Sequence, residues 1–351
     1  MKKRKKAAAC LLVSVFMLSA LSGCGGSGKV LKVYNAGEYI DKSLLNAFER
    51  QYDCTVVYET FDSNESMYTK LMSGEEYDIL IPSDYMIERL IREDYLQPVN
   101  WELLTNAGNL MDSVMENAAY DEEHTYTVPY FWGTVGIIYD TTVVKEEDTA
   151  LGWELLRDTD YAGDIYMYDS ERDSFMVALK ALGYSMNTTD TAQLEEAYRW
   201  LVEQRDTMEP VYVGDDVIDN MISGNKAMAV VYSGDAAYMM TENRDLNYFT
   251  PEEGTNIWYD CMVITKNCTD TELAHQFINF MLEDENALKN SEAVGYSSPV
   301  ESAFEEMRMT TYEGVGAYVP RSGHSGDEVF GYQETELKKY LADLWTKVKA
   351  Y

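Results

Sequence analysis

Two nearly continuous apolar runs constrain the architecture of this chain most. Tyr77-Asp78-Ile79-Leu80-Ile81-Pro82-Ser83 and Lys226-Ala227-Met228-Ala229-Val230-Val231-Tyr232 show almost no polar alternation, the pattern of strands buried on both faces of a parallel sheet. Segments of helical period flank each run. Leu31–Tyr34 and Thr55–Tyr58 read as earlier strands, and Ser43–Tyr52 sets Leu44, Leu45 and Phe48 on one helical face. Ser66–Ser73 reads as a helix stopped at Gly74, and Met86–Glu93 as the next. This βαβαβα order predicts a doubly wound α/β sheet with ligand chemistry beyond the carboxyl ends of its strands.

A second set of elements resembles the first. Asp164–Tyr168 reads as a strand, followed by a helix over Ser174–Leu182, a Thr-capped helix over Ala192–Arg205 and a short helix over Val217–Ile222. Helix Ala236–Met240 follows the second apolar run; strand Trp258–Thr265, helix Thr271–Leu282 and an amphipathic helix over Glu334–Lys349 complete the chain. At 351 residues the chain exceeds one ordinary core and suits two lobes. A composition 46% hydrophobic and 13% aromatic is that of a folded globular protein. Clefts between lobes are favoured ligand sites.

The amino terminus carries its own signal. Lys2 to Lys6 form a basic cluster, Ala7 to Leu21 an apolar run too short for a stable span, and Leu21-Ser22-Gly23-Cys24 follows. This order of basic, apolar, small and Cys elements resembles the bacterial lipobox. It implies a lipoprotein signal peptide over 1–23, diacylglycerol on the thiol of Cys24, a flexible tether over 24–29 and attachment to the bilayer outside the cytoplasm. Gly23 to Lys29 also fits the frame of a phosphate-binding loop, but Val30 stands where Ser or Thr must hold magnesium and no strand precedes it. That reading is rejected.

Net charge is −33. So acidic a surface repels nucleic acid and anionic membrane, and attracts cations without locating a site for them. Cys54, Cys261 and Cys268 remain beyond the leader and Cys24. They show no metal-ligand spacing, and the last two bracket a strand too long for a disulfide, so reduced thiols are expected. No metal and no cofactor are expected.

Enzyme signatures are missing. His124, His275 and His324 are the only histidines and sit in unrelated contexts; no H-E-x-x-H, G-x-S-x-G or G-x-G-x-x-G occurs. His275 lies on a helical pattern, as a packed or surface residue would. Abundant acids leave a two-carboxylate hydrolase open as a minor alternative. More informative are aromatic and acidic residues clustered at strand ends: Glu38 with Tyr39, Ser83 with Tyr85, Tyr232 with Asp235, Trp258 with Asp260, and Tyr296. Aromatic faces attract ammonium groups and shield methylenes, while carboxylates anchor the charged ends. With 28 tyrosines in the chain, most such neighbours would be packing residues by chance alone.

Several stretches carry a family resemblance. Val33-Tyr34-Asn35-Ala36-Gly37-Glu38-Tyr39, Tyr58 to Tyr68 (Tyr-Glu-Thr-Phe-Asp-Ser-Asn-Glu-Ser-Met-Tyr) and Tyr77 to Tyr85 come first. Val128-Pro129-Tyr130-Phe131-Trp132-Gly133-Thr134, Leu182-Gly183-Tyr184-Ser185, Pro251-Glu252-Glu253-Gly254, Trp258-Tyr259-Asp260 and Gly295-Tyr296 follow in order. Together they resemble the spermidine/putrescine-binding proteins of polyamine ABC importers. The resemblance implies a type II periplasmic-binding-protein fold: two doubly wound α/β lobes with an interlobe cleft and hinge crossings. Residues 30–136 plus 259–304 would form the N-terminal lobe, and 137–258 plus 305–351 the C-terminal lobe.

It also implies polyamine contacts from Glu38, Tyr39, Ser83, Tyr85, Asp173, Tyr232, Trp258, Asp260 and Tyr296, with Asp260 as main ammonium anchor and Trp258 as stacking wall. Ser170 and Asp235 are secondary candidates. Several positions depart from the family pattern, among them Tyr232, which replaces the family's usual Trp and keeps an aromatic face of smaller area. Ala36-Gly37 replaces a frequent Trp-Thr, Ser170 stands where some members carry Asp, and Phe330 falls near a family Gln. The choice between spermidine, putrescine and another cation stays open. The expected role is non-enzymatic: capture of a polyamine outside the cytoplasm and delivery to ABC permease subunits in the membrane. A receptor for another small cationic or polar solute is the alternative.

Overall fold

Alternation along the strands explains how the sheet is covered. The computed structural model describes residues 28–116, 118–214 and 216–350; the leader and Cys24 lie outside the described residues. Strand β1 (Lys29–Ala36) sends Leu31 and Val33 into one core cluster and Tyr34 into another, as side chains of period two must. Ile79 and Leu80, Ile137 and Ile138, and Val230 and Val231 divide the same way. Both faces of the sheet are therefore packed, and the apolar runs without alternation are its interior strands.

Helix α1 (Lys42–Tyr52), strand β2 (Cys54–Phe61), helix α2 (Asn64–Met72), strand β3 (Ile79–Leu80) and helices α3 (Asp84–Arg92) and α4 (Asp112–Met115) follow β1. Strand β4 (Thr127–Asp140) leads to β5 (Ile165–Tyr168), helices α5 (Glu171–Ala181) and α6 (Thr191–Met208), strand β6 (Val211–Val213) and helix α7 (Val217–Ile222). Then come β7 (Met228–Tyr232), α8 (Ser233–Glu242), β8 (Leu246–Phe249), β9 (Ile257–Ile264), and helices α9 (Thr271–Met281), α10 (Asp284–Val294), α11 (Glu301–Met309) and α12 (Thr335–Lys349).

The strands run in the order β2-β1-β3-β9-β4-β7-β5-β6, with β8 also on β4. β1 is parallel to β2 and β3, and β5 is parallel to β6 and β7, which gives each half the doubly wound character expected. The joining strands are antiparallel. Thr127–Thr134 of β4 pairs with β9, whereas Val135–Asp140 pairs with β7 and β8. One 14-residue strand thus belongs to both halves and carries the crossing between them.

Several boundaries differ from the sequence reading. Lys29 is already in β1, so the tether does not reach it. α6 is capped by Asp190, whose side chain accepts from Ala192 N–H, not by a Thr. Cys261 lies inside β9 rather than bracketing it; Cys54, Cys261 and Cys268 are free thiols. α3, α5 and α8 each begin two or three residues earlier than apolar periodicity suggests. His275 is buried, its Nε2 accepting from Asn100 N–H at 2.8 Å. Among the described residues no helix is long and apolar enough to cross a membrane.

Candidate functional site

Backbone that leaves the carboxyl ends of β1, β3, β5 and β7 turns onto one cavity of about 520 Å³. Glu38 and Tyr39 reach it after β1, and Ser83 and Tyr85 at the start of α3. Ser170 and Asp173 enter at the start of α5, Tyr232 and Asp235 at the start of α8. Trp258 and Asp260 come from β9, and Tyr296 from the loop after α10. The structure therefore brings together every ligand residue expected from sequence, including the two secondary candidates.

Helix starts determine the chemistry of the lining. Asp84 is the first residue of α3, and Asp173 and Asp235 are the third residues of α5 and α8. The partial positive charge at a helix N-terminus favours a carboxylate there. Ser170 completes the α5 cap by accepting from the Asp173 N–H at 3.3 Å. The same backbone that begins each helix thus holds an acid at the cavity wall.

Phenols fix three carboxylates of the lining, two at helix starts and Asp260 on β9. Tyr39 donates to Asp260 at 2.6 Å, Tyr232 to Asp173 at 3.0 Å, and Tyr296 and Tyr168 to Asp235 at 2.7 and 3.0 Å. Asp260 pairs with Ser83 through an isolated antiparallel bridge, and Ser83 in turn holds Asn64. Burial pushes the Asp173 and Asp260 carboxyls upward, against the opposing pull of their hydroxyl partners. Burial likewise raises the Tyr39, Tyr232 and Tyr296 phenols well above their ordinary range, so all three remain donors. Each hydroxyl partner favours the charged form of its carboxylate without neutralising it, which leaves the acid able to meet an incoming cation.

The rings form one connected wall. Tyr39 meets Tyr296 at 5.7 Å between centroids, Tyr296 meets Trp258 edge to face at 5.4 Å, Trp258 meets Tyr232 at 6.2 Å, and Tyr232 stacks on Tyr168 at 5.0 Å. Two glycines make room for it. A Cβ on Gly133 would lie 2.5 Å from the Trp258 ring, and one on Gly234 would lie 1.5 Å from Tyr296.

Glu38 behaves differently from the other acids. It is exposed at the mouth, with φ of 48°, and pairs with Lys42 at 3.2 Å, an exposed pair of small energetic weight. The cavity also holds residues that the sequence reading passed over. Arg172 stacks 3.8 Å from the Tyr85 ring centroid and 5.3 Å from that of Phe330, bringing a cation to one end of the lining. Asp84 lies beside Asp260, and Asn64 and Asn256 contribute polar edges. Their neighbourhood in sequence gives no sign of this, except that Arg172 and Asp84 each adjoin an expected residue. Among the described residues no cluster of His, Cys, Asp and Glu could hold a metal ion.

Comparison with known proteins agrees with this geometry. Residues 43–317 match the family described as bacterial extracellular solute-binding protein. A spermidine/putrescine-binding periplasmic protein of Salmonella typhimurium is 32% identical over 271 residues, 77% of each chain. The spermidine/putrescine ABC transporter substrate-binding protein PotD of Streptococcus pneumoniae superposes with a TM-score of 0.81 at 37% identity, covering 92% of this chain and 99% of that one. The TpPotD lipoprotein of Treponema pallidum gives 0.78 at 25% identity, covering 91% and 99%. The two-lobed type II periplasmic-binding fold is shared with both structures. By the length of the match and by its likeness to these relatives, the chain belongs to the bacterial extracellular solute-binding proteins, the substrate-binding subunits of transporters.

Proposed function

We propose that this protein is a polyamine receptor of an ABC importer, held to the outer face of the cell membrane by a lipid on Cys24. The reading is carried by one observation: three carboxylates oriented by phenol donors and a connected aromatic wall converge on a single cavity. Such a lining offers anchors for ammonium groups and cover for the methylenes between them. Asp260 is the main anchor and Trp258 the stacking wall, with Tyr39, Tyr85, Tyr232 and Tyr296 as further faces. Ser83, Asp173 and Asp235 supply polar contacts; Glu38 and Ser170 act at the margins. Relatives named for binding spermidine and putrescine support the ligand class.

The lobes divide as 30–136 with 259–304 against 137–258 with 305–351, which makes β4, β9 and the chain after Val300 the crossing segments. An open form captures the amine, and closure follows because a ligand touching both lobes binds the closed state better. The closed form delivers its cargo to the permease subunits, with no covalent step. The basic, apolar and small-residue order before Cys24 supports secretion and lipidation.

A thermal-shift screen of the chain from Cys24 onward, against putrescine, spermidine and a panel of sugars, thiamine and iron complexes, tests the ligand class. A melting temperature that rises with polyamine concentration is expected, because a ligand bound only by the folded state stabilises it by RT ln(1 + [L]/Kd), which keeps growing with the logarithm of free ligand. A shift with another solute and none with polyamines would replace the reading.

A further inference from the structure

Behind the Asp260 carboxylate lies a second carboxyl. Asp84 is 1% exposed, and its two oxygens accept only backbone donors, Oδ1 from Tyr85 N–H at 2.6 Å and Oδ2 from Tyr259 N–H at 3.1 Å. The bridge between Ser83 and Asp260 sets the two acids on adjoining backbone, and both line the cavity.

The groups that face Asp84 are few. β9 supplies Asp260 and Cys261, the chain before β4 supplies Tyr120, and its own helix supplies Tyr85; among the described residues, α5 supplies the cation that acts on it, Arg172. That guanidinium is already stacked on Tyr85 and lies near Asp173. Two buried carboxylates that repel each other across adjoining backbone cannot both stay charged at low energetic cost. Burial accordingly pushes the Asp84 carboxyl up to about 8, against the two backbone donors, and Asp260 adds to the rise.

We propose that Asp84 is a second amine-anchoring carboxyl, protonated in the empty cavity and ionised once a ligand ammonium lies against Asp260. One proton leaves Asp84 for solvent as one positive charge enters, so the carboxyl pair gains a negative charge only when a cation is there to meet it. This rests on the amine-binding reading above. Its consequence is an affinity that rises with pH, by up to about tenfold per unit for one linked proton, and levels off once Asp84 is ionised in the empty protein.

Calorimetric titration of putrescine into the chain from Cys24 onward, near neutral pH in phosphate and in Tris, reads the proton directly. Wild type is expected to give heats that differ between the two buffers by the release of close to one proton. Asp84→Asn is expected to bind more weakly, with buffer-independent heat. Circular dichroism checks that the variant folds; should it not, the infrared band of a protonated carboxyl in wild type, lost on adding putrescine, serves in its place. Buffer-independent heat in wild type, equal proton release in D84N, or an unchanged infrared band would overturn the proposal alone. No heat with either putrescine or spermidine would remove the amine-binding reading and this proposal together.

Discussion

Removing charge from Asp260 while keeping its shape separates anchoring from architecture. Asp260 accepts from Tyr39 at 2.6 Å and pairs with Ser83 across the bridge. In Asp260→Asn the side-chain oxygen can still accept from Tyr39, so the wall keeps its form and only the charge-assisted bond to the ligand is lost. Such bonds contribute about 1.5–3 kcal/mol, which is roughly a 10- to 100-fold loss of affinity. Asp260→Ala also leaves the Tyr39 hydroxyl without its acceptor, and breaking a buried charged pair costs about 3–5 kcal/mol, or roughly 100- to 4,000-fold. The unliganded protein should respond with the opposite sign. Burial already pushes the Asp260 carboxyl up, so Asp260→Asn relieves an uncompensated charge and should melt at or above the wild-type temperature. Calorimetry with putrescine and spermidine, paired with melting of the empty protein, gives both readings. Wild-type affinity in both variants would refute the argument, as would a fall in affinity that merely tracks a fall in stability.

Three further outcomes are expected. Gly133→Ala and Gly234→Ala place a methyl 2.5 Å from Trp258 and 1.5 Å from Tyr296, so each should displace a wall ring and lower polyamine affinity, measured by calorimetry, without altering any contact residue. In the empty protein the contribution of Asp84 to stability should be lost as pH rises from the ordinary carboxyl value of 3.8 to about 8, because folded Asp84 binds its proton more tightly than unfolded Asp84 over that interval. Melting curves across that range should slope less in Asp84→Asn than in wild type. Finally, Cys24→Ser should shift the protein from the membrane fraction to the soluble fraction on cell fractionation, with loss of labelled fatty acid.

The sequence shows the fold clearly where burial is one-sided or where apolar runs are interrupted by turns. It hides β4, whose first 13 residues are all buried, so that no alternation marks the strand. Pro129, Gly133 and Gly136 also read as breakers there; Pro129 sits at a shift of register against β9, and Gly133 admits the Trp258 ring. The late starts assigned to α3, α5 and α8 share one cause. The periodic pattern is read from Met86, Ser174 and Ala236, whereas the polar first turn faces the cavity. Periodicity reports the side of a helix that packs, so it omits the turn that carries Asp84, Arg172, Asp173 and Asp235.

Position at strand ends, joined to the family resemblance, was enough to name the residues that converge. It could not assign partners. That Asp235 receives two phenols, that Arg172 covers the Tyr85 face and that Asp84 lies beside Asp260 are results of tertiary approach. Glu38 illustrates the converse: a motif match placed it beside Tyr39, yet its side chain points to solvent and Lys42.

If separate stretches of the chain meet to enclose a small organic cation, the bound cation itself should be visible among them. A crystal structure of the chain from Cys24 onward grown with putrescine addresses it most directly. Ligand density is expected in this cavity, with an ammonium nitrogen within hydrogen-bonding distance of Asp260 and methylenes against the Trp258 ring. Density at another site, or a cavity without ligand at saturating putrescine and spermidine, would contradict it.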